Sequence, residues 1–367
     1  MKIETAEIHP LRIPRLTPFK VAYATRTECR CILLSLSAGD LTGWGEAVPV
    51  REVTGERYAD TLDALRRFAT NRLKGADPEL REDMRALAGR ELARLPAARC
   101  AVDCALKDLQ GRILGVPVHR LMGGARTEIP ARVSVGIMNA PDTVAAVKNL
   151  LAQGIRNVKL KIGLAALEDA ERVRRVRSEL GRDFRVSLDA NGGYETTEAI
   201  MLLTGLAGQD IEFVEQPVPA SDLDGLALVN RESPIPVCAD EAVHGMKSLL
   251  PILSRKAARL VNVKLEKCGG ITEAETMVRT AESAGIGVLL GCMIETRVGI
   301  SAGLAVALGL ANVVHTDLDG ANDLAADPVA GGGAKLTDGK QFMDDQPGLG
   351  LAMDAAVLKQ YLDNDPL

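Results

Sequence analysis

From residue 131 onward, short β-rich runs return about every 25 residues. They are "ARVSVGI" (131–137), "NVKLKIG" (157–163), "RVSLDAN" (185–191), "IEFVEQP" (211–217), "IPVCADE" (235–241), "LVNVKLEK" (260–267), "GVLLGCMIE" (287–295) and "NVVHTDLDG" (312–320). Helix-patterned segments such as "LEDAERVRRVRSELG" lie between them. One strand plus one helix uses about 25 residues, so eight such units predict a closed (β/α)8 barrel of the TIM type.

The chain of 367 residues is longer than that barrel. Residues 1–50 alternate like strands, and from about Tyr58 to Leu114 the apolar spacing becomes three and four, as in helices. The Gly- and Pro-rich stretch 115–130 reads as a boundary. The predicted division is an α+β capping domain over 1–125, the barrel over 126–326, and a C-terminal segment, 327–367, that packs back on the cap. That segment contains a short strand, "AKLTDGKQF", and a Gly-rich turn, "AGGGAKL", which lacks the spacing of a phosphate loop.

Composition removes several function classes. Aromatic residues are 3% and the formal charge is −5 with both signs interspersed, so there is neither a stacking platform nor a basic footprint for nucleic acid. No run of 18 apolar residues offers a membrane span. Seven cysteines without a C-x-x-C pair give neither a disulfide framework nor a zinc motif, and a reduced, cytoplasmic setting is expected. Cys29 and Cys31 share a strand face, but no histidine lies near them in sequence.

Catalytic groups in such a barrel rise from the C-terminal ends of the strands. There the chain places Lys159 and Lys161, then Asp189, Glu215, Asp240 followed by Glu241, then Lys264, and finally Asp317 and Asp319. From Lys161 to Lys264 the successive gaps are 28, 26, 25 and 24 residues, one βα unit each. Three carboxylates on consecutive strands are costly as bare anions, and a hard divalent cation such as Mg²⁺ removes that cost. Lys161 and Lys264 then bracket the metal from opposite sides. Lys159 and Lys161 lie two apart on one strand, roughly 7 Å from each other, and repel by about 2.4 kcal/mol at an effective dielectric near 20. Lys159 is therefore expected to push Lys161 toward neutrality, the state a general base needs; otherwise the two lysines simply neutralise the acids. A base on each face suits removal of a proton α to a carboxylate and its return from the other side, which is racemisation or epimerisation.

The motifs "KLKIG", "SLDANGGY", "VEQPV", "ADE" and "NVKLEKCGG", together with "PGLG" near the end, resemble the enolase superfamily, muconate-lactonising-enzyme subgroup, over essentially the whole chain. The resemblance implies a modified, enolase-like barrel. It implies Asp189, Glu215 and Asp240 as ligands of one Mg²⁺ per subunit, with Mn²⁺ as a substitute, and Lys161 and Lys264 as the acid/base pair. Lys159 would contact the substrate carboxylate, and Glu241 and Asn191 would lie just outside the ligands. The D-x-D of "TDLDG", Asp317 and Asp319, is similar to that of dipeptide epimerases, where the pair binds the α-ammonium of the substrate, and Ser134 would touch the substrate as well. The expected activity is epimerisation at the C-terminal residue of an L,L-dipeptide, with L-Ala-L-Glu as the default. The alternatives in the same subgroup are an N-succinylamino acid racemase, an o-succinylbenzoate synthase and a cycloisomerase. A homo-oligomer is expected, with no nucleic-acid or membrane partner. One departure concerns the capping loop: Ala24 stands where an arginine is expected for Ala-Glu, and Arg26, two residues on, either substitutes for it or is a surface residue. Side-chain preference is assigned to loops 17–30 and 50–56, which carry Arg26, Arg30, Arg51 and Glu52.

Overall fold

The computed structural model describes residues 1–79 and 81–363. The N-terminal part is an antiparallel sheet of β1 (Thr5–Lys20), β2 (Thr25–Ala38) and β3 (Leu41–Ala47), followed by helices α1 (Tyr58–Phe68), α2 (Arg81–Glu91) and α3 (Pro96–Leu114). Strand alternation gives β2 two apolar faces. Ile32, Leu34 and Leu36 join a core shared with the helices, whereas Cys29, Cys31 and Leu33 face the barrel core. The glycines of "LTGWGEA" let β3 lie directly on α3. A Cβ at Gly45 would come within 2.0 Å of the Ala101 carbonyl oxygen, and one at Gly43 within 2.4 Å of that of Ala105.

After α4 (Val118–Leu121) and β4 (Glu128–Pro130) come the eight barrel strands: β5 (Arg132–Val135), β6 (Asn157–Lys161), β7 (Arg185–Asp189), β8 (Ile211–Glu215), β9 (Val237–Ala239), β10 (Leu260–Lys264), β11 (Gly287–Gly291) and β12 (Val313–Asp317). They are parallel and adjacent in sequence order, each within one of the eight runs seen in the sequence. Between them run α5 (Ala140–Ala152), α6 (Ala166–Leu180), α7 (Thr196–Gly205), α8 (Leu223–Glu232), α9 (Met246–Arg255), the short α10 (Leu265–Cys268) with α11 (Ile271–Ser283), and α12 (Arg297–Gly309). Local capping sets several helix starts: Asn139 accepts from the Asp142 amide at 2.9 Å, and Asp222 accepts from the Gly225 amide at 2.8 Å. Among the described residues no backbone ladder joins β12 to β5. Side chains stitch that seam instead. The Ser134 amide donates to Asp319 at 2.7 Å, and the Ser134 hydroxyl donates to Asp317 at 3.2 Å.

The C-terminal segment forms β13 (Val329–Gly331), β14 (Ala334–Thr337), β15 (Lys340–Met343), β16 (Ala352–Met353) and α13 (Ala355–Gln360). The run "AKLTDGKQF" is a hairpin rather than one strand. Asp338 and Gly339, at φ 50° and 73°, make the left-handed Asp-Gly turn that joins β14 to β15. The segment touches both earlier parts: the Arg12 amide donates to the Tyr361 carbonyl at 3.0 Å, and the Ala334 amide to Ser301 at 2.8 Å. The β1–β2 hairpin leans over the barrel mouth, held by the Ile137 amide on the Lys20 carbonyl (3.0 Å) and by an Arg15–Asp323 ion pair (3.1 Å). No described helix is long and apolar enough to cross a membrane.

Candidate active site

Strand register sets the centre. Lys161 on β6 pairs with Asp189 on β7, and Asp189 pairs with Glu215 on β8. Asp240 follows β9, and Lys264 ends β10. The three acids are at most 1% exposed. Burial of that depth demands partners, and each acid is drawn to a lysine. Lys161 donates to Asp189 at 2.5 Å and Lys264 to Asp240 at 2.7 Å. The Lys159 ammonium lies 3.2 Å from Glu215 and 3.4 Å from Asp189, and also pairs with Asp317 on β12.

Several side chains that sequence reasoning did not single out hold this arrangement. Lys267 on α10 is 1% exposed and donates to the Asp240 carbonyl at 2.6 Å, to the Asn262 carbonyl at 3.2 Å and to the Asp240 carboxylate. Asn262 on β10 donates to Glu215 at 2.6 Å. Its spacing of two from Lys264 was a usable signal, the same alternation that marks Lys159 and Lys161. Gln216, at φ 35°, accepts from the Asp240 and Ala242 amides at 2.9 and 3.2 Å and so fixes the chain beyond β9. Asn191, placed beside the ligands from the sequence, donates to Glu241 at 3.0 Å, while its backbone amide donates to Asp189 at 3.0 Å.

Electrostatics separates the acids. Burial pushes Glu215 up to about 8, with the Asp189 charge adding to the effect. Burial and the Asp240 charge raise Glu241 to about 7. Burial also opposes the charge on Asp240, but Lys264 and Lys267 together hold it well below the usual carboxylate range. Lys159 is likewise penalised by burial, yet Asp317, Glu215 and Asp189 keep its ammonium well above the ordinary lysine value. The charge that was expected to bear on Lys161 is thus shared among three carboxylates.

Above this layer lies a cavity of about 1040 Å³ between the cap and the barrel mouth. Lys159, Lys161, Lys264, Asp317, Asp319 and Ser134 all line it, as do Asn191 and Glu241. Asp189, Glu215 and Asp240 sit beneath, behind the lysines. Asp317 accepts from the Ser134 hydroxyl at 3.2 Å, so the D-x-D pair already has Ser134 and Lys159 as protein partners. The roof comes from the cap: Tyr23 at the hairpin tip, Val53, and Arg26, which is ion-paired to Glu52 at 2.9 Å. Arg26 therefore faces the cavity as half of a neutral pair. Of the four histidines, His315 turns away to Arg132 and Phe213, and His244 bonds the Glu241 carbonyl at 2.9 Å.

The donor set fits a hard divalent cation: three buried carboxylates on neighbouring strand ends, all oxygen. Two atoms beside them, Glu241 Oε2 and Asn191 Oδ1, are buried without a hydrogen-bond partner among the described residues. Such orphaned oxygens are what a cation and its waters would satisfy.

Residues 142–357 match the enolase C-terminal domain-like family, and residues 2–123 match the mandelate racemase/muconate lactonizing enzyme N-terminal domain. The N-succinyl-L-Arg/Lys racemase of Bacillus cereus is 30% identical over 323 residues, covering 87% of this chain and 88% of that one. A substrate-liganded L-Ala-D/L-Glu epimerase from Bacillus subtilis superimposes with a TM-score of 0.94 at 31% identity, covering 97% of this chain and 100% of its own. The dipeptide epimerase of Methylococcus capsulatus, solved with Mg and the dipeptide L-Arg-D-Lys, gives 0.91 at 34% identity over 96% of this chain and 100% of its own.

Proposed function

The chain belongs to the enolase superfamily, in its mandelate racemase/muconate-lactonising-enzyme group, and from that premise we propose that it is a Mg²⁺-dependent epimerase of L,L-dipeptides, acting at the α-carbon of the C-terminal residue. Its relatives are epimerases and racemases, and it is an isomerase of that kind. One observation carries the dipeptide reading: Lys161 from β6 and Lys264 from β10 line a single cavity together with the Asp317/Asp319 pair.

In this reading Asp189, Glu215 and Asp240 hold the cation. When bound, it supplies Lewis-acid relief of the negative charge that grows on the substrate carboxylate during deprotonation. Lys159 adds its ammonium to the same carboxylate. One of Lys161 and Lys264 takes the α-proton, and the other returns a proton to the opposite face, which inverts the centre. Asp317 and Asp319 receive the α-ammonium, with Ser134 holding them in place. Tyr23 and Val53 of the cap lie over the cavity and limit the access of water to the carbanionic centre. All seven cysteines are free thiols, which suits action in the reducing cytoplasm, and assembly as a closed homo-oligomer is part of the same reading.

L-Ala-L-Glu is the first substrate to try. Arg26 is paired with Glu52, so an acidic side chain would have to draw it away, and apolar and basic C-terminal residues belong in the same panel. A second reading, an N-succinylamino acid racemase, is favoured by the Lys159–Asp317 contact: that acid already has a cation without a substrate ammonium. Mass spectrometry of α-proton exchange in D₂O with Mg²⁺ decides between them. Deuterium gain in L,L-dipeptides and not in N-succinyl amino acids is expected; gain in the N-succinyl set alone would replace the dipeptide reading with the racemase.

A further inference from the structure

A second cluster of ligating groups lies at the junction of the N-terminal sheet and the barrel, outside the cavity chemistry described above. Cys29 and Cys31 are two apart on β2, so their thiols face the same way. Glu46 on β3 pairs opposite Leu33 and lies diagonally from Cys31 on that face. Each of the three is at most 1% exposed. Among the described residues they are the one group of three acids, thiols or imidazoles whose ligand atoms all lie within 4.8 Å of one another. A fourth donor adjoins them from the barrel: the Ile294 carbonyl oxygen, 3.0 Å from the Cys29 sulfur.

We infer that Cys29, Cys31, Glu46 and the Ile294 carbonyl form a structural site for a thiophilic divalent cation of the zinc class, tying the cap to the barrel. Two thiolates, a carboxylate oxygen and a carbonyl oxygen make four ligands, the number that closed, structural zinc sites use. Thiolate sulfur also selects against Mg²⁺, which keeps this site distinct from the all-oxygen centre under the cavity.

The other lone pairs of Glu46 are already in use. It accepts from the Thr296 and Gly299 amides at 2.9 and 2.8 Å and from the Thr296 hydroxyl at 2.6 Å, at the N-cap and first turn of α12. The Cys31 thiol is its remaining donor. A cation taking the place of that thiol proton leaves the cap on α12 intact. Binding forms two metal–sulfur bonds, releases one proton from each thiol, and changes no oxidation state. The resulting charge of −1 sits against the positive end of α12. Two further buried acids lie near the cluster, Glu266 and Glu295, and burial raises both. A disulfide is the poorer use of these thiols, because two residues along a strand separate the Cα atoms by about 6.8 Å, the outer limit for such a bond.

The site is enclosed, so the test begins with protein expressed in medium containing zinc, then cadmium, and dialysed against excess Mg²⁺. About one equivalent of zinc should remain, and the cadmium form should show thiolate-to-metal charge-transfer absorption in the ultraviolet, which carboxylate ligands alone cannot give. Both signals should vanish in a Cys29→Ser/Cys31→Ser variant and persist in Cys104→Ser, which alters the neighbouring Cys100–Cys104 pair (Sγ–Sγ 3.8 Å). Zinc below a tenth of an equivalent with no charge-transfer band, or signals that follow Cys104 instead, would overturn the inference. If the double variant does not fold, X-ray absorption at the zinc edge of the wild-type protein decides: two sulfur neighbours support the site, and an all-oxygen/nitrogen shell refutes it.

Discussion

Lys159 and Asp317, 158 residues apart in sequence, meet across the barrel seam between β12 and β5, which has no backbone ladder among the described residues. Lys159 rises from β6 and Asp317 from β12, with β5 between them. The residue of β5 in register with Lys159 is Ser134, small enough for the ammonium to pass over and polar enough to bond Asp317 itself. The seam and the proposed substrate-ammonium site are thus built from the same atoms.

That overlap makes Asp317→Asn informative. A charge-assisted hydrogen bond to a substrate ammonium is worth about 1.5–3 kcal/mol, so kcat/KM for dipeptides should fall by roughly one to two orders of magnitude. Exchange of any N-succinyl amino acid the enzyme accepts should change far less. Equal losses in both substrate classes would mean that Asp317 serves Lys159 rather than the substrate.

Lys267→Met removes the cation that holds Asp240 from behind while keeping the length of the side chain. Partners of metal ligands typically contribute 10–100-fold to metal affinity, and a loss of that size is expected for Mg²⁺. Calorimetric titration of Mg²⁺ without substrate measures it, alongside circular dichroism to confirm folding. Unchanged affinity in a folded variant would restrict Lys267 to packing.

Gly163 closes the "KLKIG" motif at φ 106°, and a Cβ there would lie 2.2 Å from the Ala190 carbonyl oxygen. Gly163→Ala therefore carries both backbone strain and a collision with the chain just after Asp189. A loss of at least about 2 kcal/mol in denaturant unfolding is expected. A variant as stable as the parent would show that this loop yields easily.

Glu266 and Glu295 give the cap–barrel junction a pH dependence. Burial raises Glu266, and raises Glu295 to about 8, well above the usual carboxylate value of about 4.5. The folded state therefore binds more protons than the unfolded chain between about pH 4.5 and 8. Stability from this source is greatest at the acid end and falls as pH rises through that window. Melting temperatures across the window should decline less steeply in Glu295→Gln than in the parent; parallel curves would show that Glu295 ionises freely.

The chain announces much of this architecture locally. Strand alternation and the return of a strand every 25 residues depend on neighbours within a few positions, so the eight barrel strands and the inward lysines and acids could be placed from spacing alone. Asn262 is legible by the same alternation as Lys264. The hairpin inside "AKLTDGKQF" was legible too, through its Asp-Gly turn.

Other features have no local trace. Lys267 reaches Asp240 because α10 is a single turn directly after β10 that brings it back to the end of β9, and nothing in "LEKC" dictates that direction. Arg26 meets Glu52, and Cys29 and Cys31 meet Glu46 and Ile294, because the cap sheet rests on the barrel in one orientation. Periodicity fixes which face of its own strand or helix a side chain takes, since backbone geometry is set residue by residue. Which distant charge or thiol waits across the gap is decided by the packing of whole elements, and only the folded chain brings Lys159 to Asp317.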